Sequence, residues 1–298
     1  MLAIGKLLEL TFAGREPCEK VQLTPRGVKL HWLAEGALLV SPPSGQDQGI
    51  DLVLSAGIHG NELIPIHVLD RLIRALARGD VQPRARLLLL FANPAAMRRM
   101  VRYIEHDLNR LFLGAHADVW GGEAIRASEL EALVGGFFSV SGRQRRHYDL
   151  HSAMRPSRLA QFAICPWREG GGAQPNALAR LHALAIDGVL LQRQPSSTFS
   201  AMTATLHGAE AFTLELAEGK DEALPPAVLQ FEQGLIAMIE GRELSADAEA
   251  QPQLLSISRE IIKRSSRFRL CLPADIENFA PLPLGSLLAE DDGMRWVV

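Results

Sequence analysis

The sequence predicts an α/β fold in which a largely parallel sheet is covered by helices on both faces. Two observations carry this prediction. Short apolar strands alternate with amphipathic helices through the middle of the chain, which is typical of strands joined by helical crossovers. Several of these strands are continuous apolar runs, as expected for strands that are buried on both faces of a sheet. With 298 residues, the chain is long enough for one large domain or two unequal ones.

The predicted strands are short apolar segments: Asp51–Ala56, Leu87–Ala92, His147–Leu150, Phe162–Cys165, Gly188–Gln192 and Ala211–Leu216. The predicted helices carry apolar residues at helical spacing: Glu62–Arg78, Ser128–Phe138, Asn176–Ile186 and Ala227–Glu240. Gly79 supplies a stop signal after the first helix, and Pro225 and Pro226 suit the start of the last.

The character of the chain changes near residue 243, which predicts a second domain. The polar segment Glu243–Pro252 is interpreted as a linker. Three segments beyond it have no helical period: Leu254–Lys263, Phe268–Leu272 and Ser286–Val298. We therefore expect a large α/β domain over residues 1–245 and a small β-rich domain over residues 246–298.

The composition indicates a globular protein with no bias towards nucleic acid or membranes. Hydrophobic residues make up 47% of the chain and charged residues 22%, which argues against disorder. A formal charge of −3 predicts no nucleic-acid partner and no membrane partner. The longest apolar runs are far shorter than the ~20 residues that cross a bilayer. Because the net charge is slightly negative, the positive charge needed to bind an anionic substrate would have to be concentrated in a pocket.

Cysteine usage and the start of the chain predict a cytoplasmic protein. Cys18, Cys165 and Cys271 are odd in number, far apart and in no CxxC pair, which indicates reduced thiols. The opening segment carries Glu9 inside its only apolar stretch and has no small-residue cleavage pattern, so we expect no signal peptide. The sequence does not predict an oligomeric state.

The stretch from Ser55 to Glu62 has the features of a metal site. A predicted strand runs into a turn flanked by Gly57 and Gly60, and a helix follows at once. Ligands bind at this end of the strands in open α/β sheets. His59 and Glu62 are three residues apart across the turn, so both side chains could reach one ion. Catalytic zinc sites commonly use a His₂Glu set and leave a fourth position for water.

The third ligand is expected from the end of another strand, and His151 has that position. Asp149 lies on the same strand face by the period-two rule, so we expect it to support the site from behind. The HxxE spacing of His59 and Glu62, or the DLHS sequence around His151, could each arise by chance when taken alone. Their joint placement at two strand ends, together with the glycines, favours a metal site.

Glu215 is the candidate general base, because it is a lone acid inside the apolar strand Ala211–Leu216. A buried carboxylate is costly unless it has a partner or a function. The alternative is an ion pair across the sheet.

Arginine side chains suit carboxylate binding and can polarise an amide carbonyl, and the segment Asn93–Phe112 contains Arg98, Arg99, Arg102 and Arg110. The alternative is a solvated basic helix face, which is the interpretation for Arg98 and Arg99. Asp107–Arg110 is harder to explain in that way, because it combines an acid, an amide and a guanidinium within four residues.

Taken together, these motifs resemble those of the succinylglutamate desuccinylase and aspartoacylase family. The sequence contains HGNE, then NP…RRMVRYIEHDLNRLF, then DLHSA, then GAEAFTLEL, in the order seen in that family. The resemblance runs from about Ala56 to Ala217 and continues into REIIKRSSRFRLCLPADIENFAPLPLGSLLAED, which is similar to the tail of the bacterial desuccinylases.

The resemblance implies a zinc-carboxypeptidase-like hydrolase fold with an appended β domain and one Zn²⁺ per chain. By motif position it also implies roles for individual residues: His59, Glu62 and His151 as zinc ligands, Glu215 as the catalytic glutamate, Arg102 at the scissile carbonyl, Asn109 and Arg110 at a substrate carboxylate, and Arg155 as a further basic residue.

One departure from the family pattern helps to choose the reaction. Aspartoacylases place an arginine shortly before the catalytic glutamate, but Ser196–Gly208 contains no arginine or lysine. The resemblance therefore implies hydrolysis of N-succinyl-L-glutamate to succinate and L-glutamate, the closing step of arginine catabolism through succinylated intermediates. The alternatives are an aspartoacylase-like deacylase of another N-acyl amino acid, a zinc carboxypeptidase and a non-catalytic zinc-binding protein.

Overall fold

A computed structural model describes residues 2–153, 155–169, 172–217, 224–242 and 251–298 of the chain. These residues form a mixed ten-stranded sheet and a separate three-stranded sheet. Among the described helices, none is long and apolar enough to cross a membrane. The predicted linker Glu243–Pro252 lies outside the described residues except for its last two positions.

The strands in chain order are β1 (Val21–Leu23), β2 (Lys29–Ala34), β3 (Ala37–Ser41), β4 (Ile50–Ala56), β5 (Arg86–Phe91), β6 (Gln144–Ser152), β7 (Phe162–Cys165), β8 (Gly188–Leu191), β9 (Glu210–Leu216), β10 (Gln253–Ser256), β11 (Arg269–Leu270), β12 (Leu287–Asp291) and β13 (Met294–Val297). The α-helices are α1 (Leu7–Ala13), α2 (Leu63–Arg78), α3 (Pro94–Arg99), α4 (Gly122–Phe137), α5 (Pro175–Ala183), α6 (Phe199–His207) and α7 (Pro226–Ile239). The predicted strands and helices of the large domain are all present, with ends that differ by a few residues.

The large sheet has a parallel centre. Its strands lie in the order β1-β2-β3-β5-β4-β6-β9-β7-β8-β10. β5, β4, β6 and β9 run parallel, whereas β7 pairs antiparallel with β9. Because the carboxyl ends of the four parallel strands meet at one edge, the loops that follow them converge there.

Alternate residues of the central strands face two separate cores. Leu52 and Leu54 of β4 belong to one buried cluster, which Ile73 of α2 shares. Val53 faces the other side and belongs to a second cluster with Leu130 of α4. This alternation follows from the two-residue period of a strand. The predicted fold class, a largely parallel sheet with helices on both faces, is confirmed.

The C-terminal segment is β-rich, as predicted, but its first strand joins the large sheet. β10 pairs parallel with β8, whereas β11, β12 and β13 form the separate antiparallel sheet. Within the segment Leu254–Lys263, which has no helical period, β10 covers only the first three residues and ends at Ser256. The division between residues 245 and 246 stays a prediction.

Gly60 lies where the turn after β4 packs against α3. A Cβ atom at this position would overlap the main chain of Ala96 and Met97, so one of the two backbone segments would have to move. We expect Gly60→Ala to lower the free energy of unfolding by about 1–3 kcal/mol, the usual cost of overpacking. Urea unfolding measures this. Gly136→Ala in α4 is the matched control, because nothing lies near its Cβ position, and unchanged stability in Gly60→Ala would contradict the prediction.

Candidate active site

The turn after β4 positions His59 and Glu62. Gly57 adopts φ +70°, a conformation that glycine reaches at no steric cost, and its carbonyl accepts a hydrogen bond from the Asn93 N–H at 3.1 Å. Glu62 directly precedes α2, but its carboxylate does not cap that helix. Instead, Glu62 Oε1 lies 2.7 Å from Nδ1 of His59.

His151 reaches the same point from the end of β6. Its Nδ1 lies 3.1 Å from the second oxygen of Glu62, Oε2. His59, Glu62 and His151 are all buried, and each offers one ligand atom within 4.8 Å of the others. The structure therefore brings together the three residues that the sequence singled out as metal ligands.

Carboxylates on the far side of both imidazoles support this donor set. His59 Nε2 lies 3.1 Å from Asp107 Oδ1, and His151 Nε2 lies 3.0 Å from Asp149 Oδ2. A histidine ligand in a metal site typically uses one nitrogen for the metal and the other for such a carboxylate. Two Nδ1 atoms and a carboxylate are donors that zinc accepts. The residues present therefore fit a zinc ion.

A buried polar network continues behind Asp149. Ser55 Oγ donates to Asp149 Oδ1 at 2.5 Å, and His147 Nε2 lies 2.8 Å from the same hydroxyl. Burial lowers the pKa of His147 to about 4, which keeps its ring neutral. Sequence reasoning missed His147, although it shares one strand face with Asp149 and His151.

The pKa values of Glu62 and Glu215 are shifted in opposite directions by burial and neighbouring groups. Burial raises the pKa of Glu62, but hydrogen bonds from His151 and His59 outweigh it and hold that pKa well below its usual range. Burial also raises the pKa of Glu215. No cation of the described residues lies within 4.0 Å of the Glu215 carboxylate, so the alternative of an ion pair across the sheet finds no partner there. A raised carboxyl pKa suits proton transfer near neutral pH.

The loop after α3 carries Arg102 to the metal-ligand cluster. Its Nη1 lies 3.3 Å from Glu62 Oε1. The loop is held from behind by Glu123 in the first turn of α4, which accepts backbone N–H bonds from Ile104 at 2.6 Å and Glu105 at 3.2 Å. Glu123 was not predicted from the sequence, because nothing in its local pattern distinguishes it from an ordinary acid at the start of a helix.

Asn109 and Arg110 are fixed between this loop and the start of α6. The side-chain oxygen of Asn109 accepts the Phe199 N–H at 2.9 Å, which leaves its amide NH₂ for the cavity. Arg110 Nη1 donates to the Asn109 carbonyl at 2.8 Å, and Ser197 Oγ donates to the Arg110 carbonyl at 2.9 Å. These contacts set the direction of both side chains.

All eight predicted site residues line one cavity of about 430 Å³. Its lining residues are His59, Glu62, Arg102, Asn109, Arg110, His151, Ser152, Ala153, Arg155, Phe162, Ile164, Gln192, Thr198, Thr213, Glu215 and Asn278. The last of these comes from the C-terminal segment, and the sequence did not point to it. Three side chains that can bind a metal converge at the carboxyl ends of the strands of this α/β fold, and the separate carboxylate of Glu215 lies in the same cavity. This combination defines the class of protein, a hydrolase with a candidate metal centre.

Comparisons with known proteins place the chain within that class. Residues 48–241 match the model described as the succinylglutamate desuccinylase/aspartoacylase catalytic domain, and residues 250–298 match the AstE/AspA barrel-sandwich hybrid domain. The chain belongs to the succinylglutamate desuccinylase/aspartoacylase family. A succinylglutamate desuccinylase from Pseudomonas syringae pv. tomato is 55% identical over 306 residues, which cover 100% of this chain and 90% of that protein.

Two solved structures resemble this one closely. The succinylglutamate desuccinylase of Vibrio parahaemolyticus has a TM-score of 0.86 at 27% identity, and the match covers 98% of this chain and 87% of that one. The enzyme of the same name from Chromobacterium violaceum has a TM-score of 0.81 at 33% identity, covering 94% and 88%. The likeness therefore extends over both sheets.

Asp107 is expected to control how tightly the cluster holds metal. Its Oδ1 contacts His59 Nε2 and also caps the turn at Asn109. Asp107→Asn keeps the size of the side chain and an oxygen for the cap, but removes the charge behind the imidazole. We expect zinc affinity to fall ~10–100-fold, measured by competition with a chromogenic chelator. Wild-type affinity in this variant would show that the contact does not tune the metal site.

Proposed function

We propose that this protein hydrolyses the amide bond of N-succinyl-L-glutamate to succinate and L-glutamate, with one zinc ion per chain held by His59, Glu62 and His151. The reaction would close arginine catabolism through succinylated intermediates, in the cytoplasm. Its partner is then a small-molecule N-acyl amino acid. The relative from Pseudomonas syringae, named for this activity and 55% identical over the whole chain, supports the proposal.

The observation that carries the proposal is the charge of the cavity. Arg102, Arg110 and Arg155 all line it, although the chain as a whole has a formal charge of −3. N-succinylglutamate carries three carboxylates, so a cavity with three guanidinium groups beside an acid and a metal-ligand cluster suits it. Arginine is well matched to carboxylates because its planar fork can donate two parallel hydrogen bonds.

The side chains divide the chemistry between them. A zinc ion bound here would acidify a water molecule and polarise the amide carbonyl. Glu215 takes a proton from the attacking water and passes it to the departing nitrogen. Arg102 donates to the oxygen on which negative charge develops, a contact whose loss typically costs ~10²–10³ in kcat. Asn109 and Arg110 hold a substrate carboxylate, and Arg155 supplies a further positive charge.

A panel of substrates tests the proposal. The zinc-loaded enzyme is assayed with N-succinyl-L-glutamate, N-acetyl-L-glutamate, N-acetyl-L-aspartate and a dipeptide that ends in glutamate. We expect N-succinyl-L-glutamate to have the highest kcat/KM, by at least about tenfold. The other substrates lack the succinyl carboxylate, so the polar groups of the cavity that bind it would be left unpaired. A preference for N-acetyl-L-aspartate would favour an aspartoacylase, and a preference for the dipeptide would favour a carboxypeptidase.

A further inference from the structure

The C-terminal segment reaches the proposed substrate cavity through Asn278. The main chain of Asn278 is paired with the loop after β6: its N–H donates to the Pro156 carbonyl at 2.8 Å, and its carbonyl accepts the Arg158 N–H at 3.1 Å. A parallel bridge joins Asn278 to Ser157 between these two bonds. The position of Asn278 is therefore set by its backbone, which leaves its side chain available for another task.

The next residue fixes this loop beside the candidate general base. The ring of Phe279 packs edge-on against Phe162, with 4.8 Å between the centroids. Phe162 is the first residue of β7 and is the register partner of Glu215 on β9. Phe162 thus connects the two features: it contacts the loop that carries Asn278 and pairs with Glu215 in the sheet.

The cavity has two ends along β7. Phe162 and Ile164 both line it and are two residues apart on one strand, a separation of roughly 6–7 Å. Asn278 lines the cavity and is next to Phe279, whose ring packs on Phe162, so it is on the Phe162 side.

Thr198, next to the Phe199 N–H that holds Asn109, also lines the cavity but belongs to a different loop. Ser200, the next residue after Phe199, has its hydroxyl 2.8 Å from that of Thr213, the register partner of Ile164. Asn109 is therefore on the Ile164 side of the cavity, so a substrate with charged groups at both ends can reach Asn109 and Asn278 together.

The amide of Asn278 has no hydrogen-bond partner in the part of the chain that the structure describes, and the residue is only partly buried. Arg155, one residue before the Pro156 carbonyl that holds Asn278, lines the cavity with it. The other carboxylate site combines the same two groups, the amide of Asn109 and the guanidinium of Arg110. An amide and a guanidinium together offer parallel N–H donors to a carboxylate.

We propose that Asn278 and Arg155 bind a second carboxylate of the substrate, so that the C-terminal segment takes part in substrate selection. This inference rests on the proposed function, in that the substrate must carry at least two carboxylates. Asn278 donates from its side-chain nitrogen to the carboxylate at the Phe162 end. Its contribution lies in binding, because its side chain forms no hydrogen bond with the described residues of the metal-ligand cluster or with Glu215.

The test compares Asn278→Ala and Asn278→Asp with the wild-type enzyme on N-succinyl-L-glutamate. A hydrogen bond to a charged group corresponds to roughly tenfold or more in affinity, so we expect Asn278→Ala to raise KM about tenfold with kcat within twofold. Asn278→Asp should raise KM further, since it sets a second negative charge against the carboxylate. Glu277→Ala is the matched control: this exposed neighbour on the same loop should keep both constants.

Analogues that each lack one carboxylate separate substrate binding from a structural role. The KM penalty of Asn278→Ala should disappear with one analogue and persist with the others. An equal penalty on every analogue, a fall in kcat, a lowered melting temperature that explains the loss, or an unchanged KM would each overturn the proposal. If the wild type prefers another dicarboxylate in the panel, the proposed substrate is wrong and the same variants are compared on that substrate.

Discussion

Glu215→Gln is expected to lower kcat ~10²–10⁴-fold, the usual contribution of a general acid–base group, while bound zinc is retained. Glutamine has nearly the same shape as glutamate but cannot accept a proton at neutral pH. Glu215 is not among the three residues whose donor atoms converge, so its replacement should leave the metal in place. The loss should appear in kcat more than in KM, because proton transfer occurs only in the transition state.

The matched control for this variant lies on the same strand. Glu210 is at the opposite end of β9 and pairs with Arg180, about 16 Å from Glu215 at the usual rise of a strand. Glu210→Gln makes the same chemical change away from the cavity and should keep its turnover. Steady-state kinetics and zinc analysis on both variants check the prediction. Near-normal turnover of zinc-loaded Glu215→Gln would show that another group moves the proton.

The centre of the fold could be predicted because local pattern and tertiary position agree there. Leu87–Ala92 is a continuous apolar run, and β5 is buried between β3 and β4, where both of its faces need apolar side chains. The turn at His59–Glu62 could be predicted for a similar reason, since Gly57 adopts a positive φ and Gly60 admits no side chain. In both places the residue types that the structure requires are the same ones that local sequence patterns reveal.

The rest of the site depends on contacts between residues far apart in the chain. Glu123 holds the backbone of Ile104 and Glu105, and Asn278 reaches the cavity only because its backbone pairs with the loop at Ser157. An acid in the first turn of a helix is common, and an asparagine in a turn-rich segment is equally ordinary. Local sequence patterns therefore contain no signal for either residue.

Glu215 is an intermediate case. The sequence shows a lone acid in an apolar strand, a pattern that an ion pair across the sheet would explain equally well. The family resemblance suggested a catalytic role, and the structure adds that no cation of the described residues is within 4.0 Å of its carboxylate. The ion-pair explanation therefore has no partner among the described residues, and the Glu215→Gln measurement tests the catalytic role.

His151→Ala is expected to abolish stoichiometric zinc binding and, with it, nearly all turnover. Among the described residues, three potential ligand side chains converge at the cluster, so the variant would keep two ligands of the His₂Glu set that catalytic zinc sites use. The loss of affinity should exceed the ~10–100-fold typical of a supporting residue such as Asp107. Dialysis against a weak chelator, followed by metal analysis, measures the retained zinc.

Folding must be separated from metal loss in this variant, because His151 also contacts Asp149. Asp149 is fully buried, and removing His151 takes away the hydrogen-bond partner of its Oδ2, which is costly for a buried carboxylate. His151→Gln keeps an amide near Asp149 and so serves as a milder variant, while His67→Ala removes an exposed histidine of α2 as the control. A folded His151→Gln without zinc supports the ligand assignment. Stoichiometric zinc in a folded His151 variant would contradict it, since a true ligand cannot be removed without weakening the metal site.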